Sequence, residues 1–399
     1  MLTTSRLSLK QVRAIDAVAR TRGIAQAAAA LNTTQAVISR AIATAEEALG
    51  TALFERGWGG TDPTARGELV LQRCTAALML VAEAEDDIEA ASGIRPKLTT
   101  FLRWHHLDAV AAIAQMGSAS KAAAYLGMTQ PAVSRAVAAI GDYAAQPLFE
   151  RKREGLEATP QARRLASLRD RLLQEIGMEV LKEVMAGSGQ GLFGRLAVGM
   201  LPFSGQDLVI KAFGELTNRH PDLRLMALPG SYNMLTEALM LGEIDCMIGI
   251  LREPSPIPDL TEIPLGSEAF TLVARHDHPC LATARSMSDL IGEKWIVGQH
   301  GSPIRAYFDG LFKTIGATPP AQTCEIHSFA GAERLVMESN SLALLSYGER
   351  QLAALPAELR KVEVALPDAQ TRVGLTVRRN GEMSEIVRLF EALLRGYLA

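Results

Sequence analysis

Residues 117–163 read GSASKAAAYLGMTQPAVSRAVAAIGDYAAQPLFERKREGLEATPQAR, and this stretch decides the front of the molecule. An apolar helix over Leu107–Gln115 stops at Gly117, and a second runs over about Ala119–Tyr125. Leu126-Gly127-Met128 makes the turn, where glycine adopts positive φ without a Cβ clash. Thr129 is placed to cap a third helix, and Pro131 falls in its first turn, where a missing N–H costs nothing. Val133, Val137 and Ile140 recur at i, i+4 and i+7 and form its inward stripe, so Pro131, Arg135 and Ala138 point outward. Leu148–Arg151 then leads into a wing, Lys152–Thr159. Two short helices, a tight turn and a polar outward face describe a helix-turn-helix. An ordinary hairpin of small-residue helices is the plain alternative.

The same pattern occurs once before. At an offset of 95, without a gap, residues 22–68 match residues 117–163 at 16 of 47 positions. The shared residues include Thr34-Gln35 with Thr129-Gln130, Ser39-Arg40 with Ser134-Arg135, and Leu53–Arg56 with Leu148–Arg151. In the first copy Ile38, Ile42 and Ala45 face inward and Arg40 outward, with Gly57–Thr64 as the wing. Both copies are locally basic: residues 96–165 hold nine Lys+Arg against five Asp+Glu, and residues 1–70 eight against six. The whole chain carries −3, so nucleic-acid binding must be local.

The run SKAAAYLGMTQPAVSRAVAAI…PLFERKREGLEATPQA resembles the winged helix-turn-helix of LysR-type transcriptional regulators. The first copy resembles it too, with Ala36 where the pattern has Pro and Arg22 where it has Gly. It keeps Glu46, Leu49 and Gly50, which the second copy replaces by Gly141, Ala144 and Ala145. A usual member has one such head; this chain has two. The resemblance implies double-stranded DNA as partner. Its contacts are expected from Lys121, Thr129, Gln130, Pro131, Ser134, Arg135, Arg151, Lys152 and Arg153 in the second copy, and from Thr34, Gln35, Ser39, Arg40 and Arg56 in the first. Two heads can act as a pair within one chain or divide their labour. The basic wing and Pro131 of the second copy, against Trp58 between glycines in the first, favour division: the second head supplies most affinity and the first assists or assembles.

Arg66–Ala91 reads as one continuous helix with acidic late turns (Glu83, Glu85, Asp86, Asp87, Glu89), expected to form a solvated face. Gln161–Met185 reads as a second, with an apolar side through Leu165, Leu168, Leu172, Ile176 and Leu181. In the family the equivalent helix dimerises, so the resemblance implies two self-association surfaces and a homo-oligomer, a dimer or tetramer; each helix packing on its own head is the alternative. Gly187-Ser188-Gly189-Gln190-Gly191 follows a helix and precedes a strand, the reverse of a phosphate-binding loop, and reads as a hinge.

From Leu192 short strands alternate with helices, an α/β pattern expected to pair mostly in parallel. Strands are expected at Leu196–Met200, Leu223–Leu228, Cys246–Ile250, Phe270–Ala274, Trp295–Val297, Leu342–Leu345 and Val373–Val377, and helices at Leu208–Arg219 and Met234–Leu241. GRLAVGMLP, NRHPDLRLMAL, LTEALMLGEIDCMIGI and ARHDHPCL resemble the LysR effector domain, a two-lobed periplasmic-binding-protein-like α/β fold. The domain plan is therefore 1–66 head one, 67–95 linker helix, 96–160 head two, 161–191 linker helix and hinge, and 192–399 effector domain. Its first lobe is 192–270 with 370–399, and its second is 271–369. Ligands of such folds sit at strand C-termini and helix N-termini. Phe203, Ser204, Gly205, Ser302, Arg305, His327 and Ser328 are the expected effector contacts, suited to a small anion or polyol, although each serine is equally suited to be an N-cap. Within the family the chain resembles regulators of sugar-binding-protein genes, a likeness that names no ligand; the expected small-molecule effector is a sugar, an acid or another small metabolite.

The 399 residues, 48% hydrophobic and 21% charged, suit a soluble multidomain protein. No apolar run approaches membrane-span length, and Met1–Lys10 lacks a signal core, so a cytoplasmic prokaryotic regulator is expected. Cys74, Cys246, Cys280 and Cys324 stand far apart and read as reduced thiols. His276, His278 and Cys280 share a strand-like spacing, but Pro279 argues against a metal strand there, and neither metal nor cofactor is expected. No G-x-S-x-G elbow or paired carboxylates call for catalysis. The remaining alternatives are an assembly protein whose heads no longer touch DNA and an enzyme with a regulatory head.

Overall fold

Every element of the first repeat has its counterpart 95 residues on. Helices α1 (Leu9–Thr21), α2 (Ile24–Ala30) and α3 (Gln35–Leu49) precede a hairpin of β1 (Phe54–Gly57) and β2 (Gly60–Pro63) and the 28-residue α4 (Ala65–Ser92). A short α5 (Leu98–Phe101) leads to α6 (Trp104–Met116), α7 (Ala119–Leu126), α8 (Gln130–Ala144), the hairpin β3 (Phe149–Lys152) and β4 (Gly155–Ala158), then α9 (Pro160–Ile176) and α10 (Met178–Ala186). This computed structural model describes residues 6–57, 60–144, 146–153, 155–186, 192, 194–221, 223–320, 322–324, 326, 328–379 and 383–398. Trp58, Gly187–Gly191 and His327 lie outside them, as do the side chains of Arg56 and Cys324. The described chain divides into two units, 1–194 and 195–399.

The repeat extends to single hydrogen bonds. Thr61 N donates to Arg22 O at 2.9 Å, and its equivalent Leu156 N donates to Gly117 O at 2.8 Å, tying each wing to its own turn. That approach explains a shared glycine. Gly60 (φ 128°) and Gly155 (φ 136°) have no room for a Cβ, which would fall 2.4 Å from Arg22 O and 2.5 Å from Gly117 O. Thr64 and Thr159 both cap the helix that follows, accepting from Gly67 N at 2.9 Å and Ala162 N at 3.3 Å. Arg22 occupies the left-handed turn position (φ 53°) where Gly117 stands in the second copy (φ 63°), a conformation disfavoured for an L side chain.

The long helices do something neither sequence reading anticipated: α4 and α9 pack on each other. The buried stripe of α4 (Val70, Cys74, Ala77, Val81, Ile88) and that of α9 (Leu165, Leu168, Leu172, Ile176) belong to one apolar core, which also takes in Ile15 and Ile38 of the first head and Leu107 and Ile140 of the second. The 4% exposed Arg73 pairs with Glu175 at 2.9 Å, and Arg171 pairs with Glu83 at 3.0 Å. The acidic run of α4 is accordingly not a bare solvated face. Glu85, 8% exposed, accepts from the backbone N and hydroxyl of Thr99 at 2.8 and 2.9 Å. The single helix expected over Gln161–Met185 is broken at Gly177 (φ −68°, ψ 139°), where Arg6 and Leu7 come alongside: Leu7 N donates to Ile176 O at 3.1 Å.

The second unit comprises β5 (Gly194–Met200), α11 (Gln206–Arg219), β6 (Leu223–Pro229), α12 (Tyr232–Met240), β7 (Cys246–Ile250), β8 (Leu260–Arg275), α13 (Cys280–Thr283), β9 (Lys294–Ile296), α14 (Pro303–Thr314), β10 (Gln322–Cys324), α15 (Phe329–Met337), β11 (Ser341–Tyr347), α16 (Glu349–Ala353), β12 (Leu359–Lys361), β13 (Gln370–Arg378) and α17 (Glu385–Leu398). The strands lie in the order β10-β9-β11-β8-β13-β7-β5-β6, with β12 beside β8. The sheet is mixed, not mostly parallel. β9 with β10, β9 with β11, and β5 with β7 are parallel, but the long β8 and β13 run antiparallel to each other and to their other neighbours. Leu260–Ala269 of β8 pairs with β13, and Ala269–Val273 with β11, so one strand serves two separate apolar clusters, around Leu235 and Met247 and around Ile296 and Val336. β8 ends at Arg275, and Cys280 N donates to His278 Nδ1 at 3.2 Å in the turn beyond, so His276, His278 and Cys280 do not share a strand face.

Leu172 is fully buried where both heads' helices meet. Leu172→Ala should cost about 2–5 kcal/mol, the range for truncating a buried leucine. Calorimetry of the full chain should show the transition of residues 6–186 shifted down as a whole. Loss confined to the second head would contradict the shared core.

Candidate nucleic-acid interface and effector pocket

The outward faces of α3 and α8 carry the same three polar residues. Gln35, Ser39 and Arg40 are exposed on α3, and Gln130, Ser134 and Arg135 are exposed at the equivalent positions of α8. Inward, Ile38 and Ala45 match Val133 and Ile140, all at or below 2% exposure, which holds each face in register. Ala36 and Pro131 lie beside them in the open, as does Lys121 on α7. Thr34 is an N-cap, its hydroxyl accepting from Val37 N at 3.4 Å, so it anchors the helix. Thr129 precedes α8, and its carbonyl accepts from Val133 N at 3.1 Å as that of Thr34 accepts from Ile38 N at 3.3 Å. On the second surface Gln130 Nε2 donates to Ser134 Oγ at 2.7 Å, and Arg135 Nε donates to Pro131 O at 3.3 Å. These exposed bonds are readily exchanged for bonds to bases or phosphates.

The second wing is less basic than its Arg-Lys-Arg run suggests. Lys152 Nζ lies 2.9 Å from Glu150 and 3.8 Å from Glu157, and the bond to Glu150 holds its pKa up. Residues 149–158 contain three cations and three carboxylates, against one cation and two carboxylates in residues 54–63. The charge difference between the wings is one unit, so the case for division of labour loses most of its force. Arg151 and Arg153 are exposed.

In the second unit the expected effector residues fall into two groups. Ser204 is 8% exposed and committed: its hydroxyl donates to Glu268 Oε1 at 2.6 Å and accepts from Gly348 N at 3.0 Å. Ser346 donates to the other oxygen of Glu268. This buried cluster ties the loop after β5 to β8 and to the end of β11, and burial pushes the Glu268 carboxyl up from its ordinary value. Phe203, 1% exposed, is core, and Gly205 is the residue preceding α11. Ser328 caps α15, accepting from Gly331 N at 3.1 Å.

The other group surrounds the start of α14. Ser302 is its N-cap, accepting from Arg305 N at 3.3 Å and donating to Gln299 O at 2.7 Å. Arg305, 7% exposed, pairs with Asp309 at 2.9 Å. Beside this turn stand residues that the sequence reading missed. Arg252 Nη1 donates to Gly301 O at 2.5 Å, and its guanidinium lies 3.6 Å from the centre of the Tyr232 ring. The Tyr232 hydroxyl and, one turn along α12, the Thr236 hydroxyl are buried without a hydrogen-bond partner among the described residues. Buried hydroxyls of this kind are normally paired with a protein group, a water or a ligand. Their signal in the sequence was only a Tyr-x-x-x-Thr spacing on an apolar helix.

The family model described as "LysR substrate binding domain" matches residues 189–399. The model described as "Bacterial regulatory helix-turn-helix protein, lysR family" matches twice, at residues 9–68 and 104–163. The chain belongs to the LysR family. It is a DNA-binding transcriptional regulator with a domain for a small-molecule effector. The HTH-type transcriptional regulator GalR of Pseudomonas putida is 29% identical over 93% of this chain and 92% of its own length. The uncharacterized HTH-type regulator YvbU of Bacillus subtilis is 30% identical, over 70% of this chain and 92% of its own. Full-length OxyR of Pseudomonas aeruginosa shares the fold at a TM-score of 0.50 and 20% identity, covering 73% of this chain and 94% of that one. No helix among the described residues is long and apolar enough to cross a membrane.

Glu268 gives this LysR-family chain a pH signature. A carboxyl whose folded pKa is raised holds its proton after the unfolded chain has released it. The stability it contributes is present at low pH and is lost as pH climbs from the ordinary carboxylate range through the raised value. Thermal melts across that window should show the second unit weakening, and Glu268→Gln should flatten the slope. Parallel profiles in both proteins would disprove the assignment.

Proposed function

We propose that the first unit carries two tandem winged helix-turn-helix heads, both of which bind DNA, and that the second unit is a two-lobed, periplasmic-binding-protein-like sensor. The observation that carries the DNA reading is the equal exposure of Gln, Ser and Arg at matching positions of α3 and α8. Each recognition helix enters a major groove, Arg40 or Arg135 meets base edges or phosphates, and the wings, with Arg56, Arg151, Lys152 and Arg153, hold the backbone. The heads extend over 1–66 and 96–160 and are joined by the helices between them.

The lobes divide where β8 changes partner, near Ala269. The effector is a small hydroxylated or anionic metabolite, such as a sugar or an acid. Tyr232, Thr236, Arg252 and the turn at Ser302 and Arg305 recognise it, while Ser204 and Glu268 hold the fold of the pocket wall. Binding acts as a switch to the extent that the two DNA-binding states differ in effector affinity. The chain regulates and does not turn over its ligand, and it works in the cytoplasm as a homo-oligomer.

Selection of bound duplexes from a random pool tests the DNA reading. On the selected site Arg135→Ala should lose about 1–3 kcal/mol of specific binding, and Arg40→Ala a similar amount. Lys152→Ala, already ion-paired, should change the salt slope by less than a full contact. Wild-type affinity in Arg135→Ala at every salt concentration would refute the role of α8. For the sensor, Tyr232→Phe and Thr236→Val should abolish the response to small metabolites in a reporter strain while leaving basal operator binding unchanged. An unaltered response in both would remove these hydroxyls from the pocket.

A further inference from the structure

We infer that the two heads of a single chain form an internal dimer around a pseudo-twofold axis, so that one chain reads both halves of an inverted-repeat operator. The inference rests on the DNA-binding reading above and adds to it the geometry of the site.

The argument starts from the direction of the long helices. As α4 advances ten residues from Arg73 to Glu83, its ion-pair partner on α9 retreats four, from Glu175 to Arg171, so the helices are antiparallel. The two pairs are centred on Leu78 of α4 and Leu173 of α9. Those positions are 95 apart and therefore equivalent in the repeat. An antiparallel contact between equivalent helices, centred on equivalent residues, is the isologous arrangement of a twofold dimer, here made within one chain. The buried positions agree: Val70, Ala77 and Val81 of α4 are the repeat partners of Leu165, Leu172 and Ile176 of α9, and all six lie in one core.

Each head then follows its own helix. α1 packs on α4 and the equivalent α6 packs on α9, so the operation that exchanges the long helices also exchanges the heads. It carries α3 onto α8. Two recognition helices related by a twofold axis read half-sites of opposite orientation, whereas heads repeated by translation would read them in the same orientation. Because Gln, Ser and Arg recur on both faces but Ala36 stands where Pro131 does, the half-sites should be similar and not identical. A covalent link also keeps the pair together at any dilution, since the partner's effective concentration is set by the chain.

Two measurements on the full chain decide it. Duplexes selected from a random pool should contain an imperfect inverted repeat; a direct repeat would overturn the inference while leaving DNA binding intact, and no enriched sequence would overturn the DNA reading beneath it. Pairing itself is tested by thermal unfolding, without DNA. Arg73→Glu and Glu175→Arg should each lower the midpoint by several degrees, and both changes on one chain should recover most of the loss. The two single variants co-expressed should melt as low as either alone. Recovery in that mixture would mean that α4 of one chain pairs with α9 of another, and no recovery in the double variant would remove the contact; either result overturns the inference.

Discussion

The packing of α4 against α9 is the contact on which the N-terminal half depends. Each helix carries an apolar stripe that water cannot cover, and a 28-residue helix with five carboxylates in its late turns depends on packing of that stripe to persist. Set side by side, they bury Val70, Ala77, Val81, Leu165, Leu172 and Ile176, and the core they make extends into both heads. The charges at its edge follow from that burial. Arg73 at 4% exposure requires a carboxylate, and Glu175 supplies one. Glu85 is satisfied by Thr99 at the start of the segment that enters the second head.

How much of this was legible in the sequence depends on whether a contact is local. The short helices, turns and wings were readable because their causes lie within a few residues: Gly117, Gly127 and Pro131 punctuate the chain, and the i, i+4, i+7 stripe orients α8. Duplication made the reading firmer, since a pattern that recurs at a fixed offset has been written twice. The apolar side of α9 was visible too, but a stripe shows that a helix is buried and not what buries it; on α4 the acidic late turns drew the eye to a solvated face instead. The break at Gly177 was invisible for the same reason, because it accommodates Leu7, far away in sequence.

In the second unit, strand positions were found to within a few residues where apolar runs were short and bounded. The pairing direction was misjudged because β8 was read only at its apolar end, Phe270–Ala274. Its earlier half, LTEIPLGSEA, mixes polar residues with Pro264 and Gly266 and looks like loop, yet it forms the long antiparallel ladder with β13. Glu268 sits in that overlooked half. Serines were sound guesses for a polar pocket, but a serine's role is set by its neighbour. Ser204 beside an unseen buried carboxylate becomes structural, whereas Tyr232 and Thr236, unremarkable in the sequence, have hydroxyls without a hydrogen-bond partner among the described residues.

Fusing two heads in one chain also relaxes a constraint that a symmetric dimer must obey. In a homodimer every contact near the axis occurs twice, so each residue must suit both its own side and its image. Here the images have diverged. Arg73 corresponds to Leu168, and Glu175 to Leu80, so the buried ion pair is made once and its counterpart is apolar. Asp108, which receives Arg6 and Arg169, corresponds to Arg13, and Arg169 corresponds to the fully buried Cys74. The copies stay alike where DNA would be read, at Gln, Ser and Arg of α3 and α8, and differ where they meet each other. Divergence at the seam gives each helix a partner better matched than its own image, which favours pairing within the chain over pairing of like helices between chains.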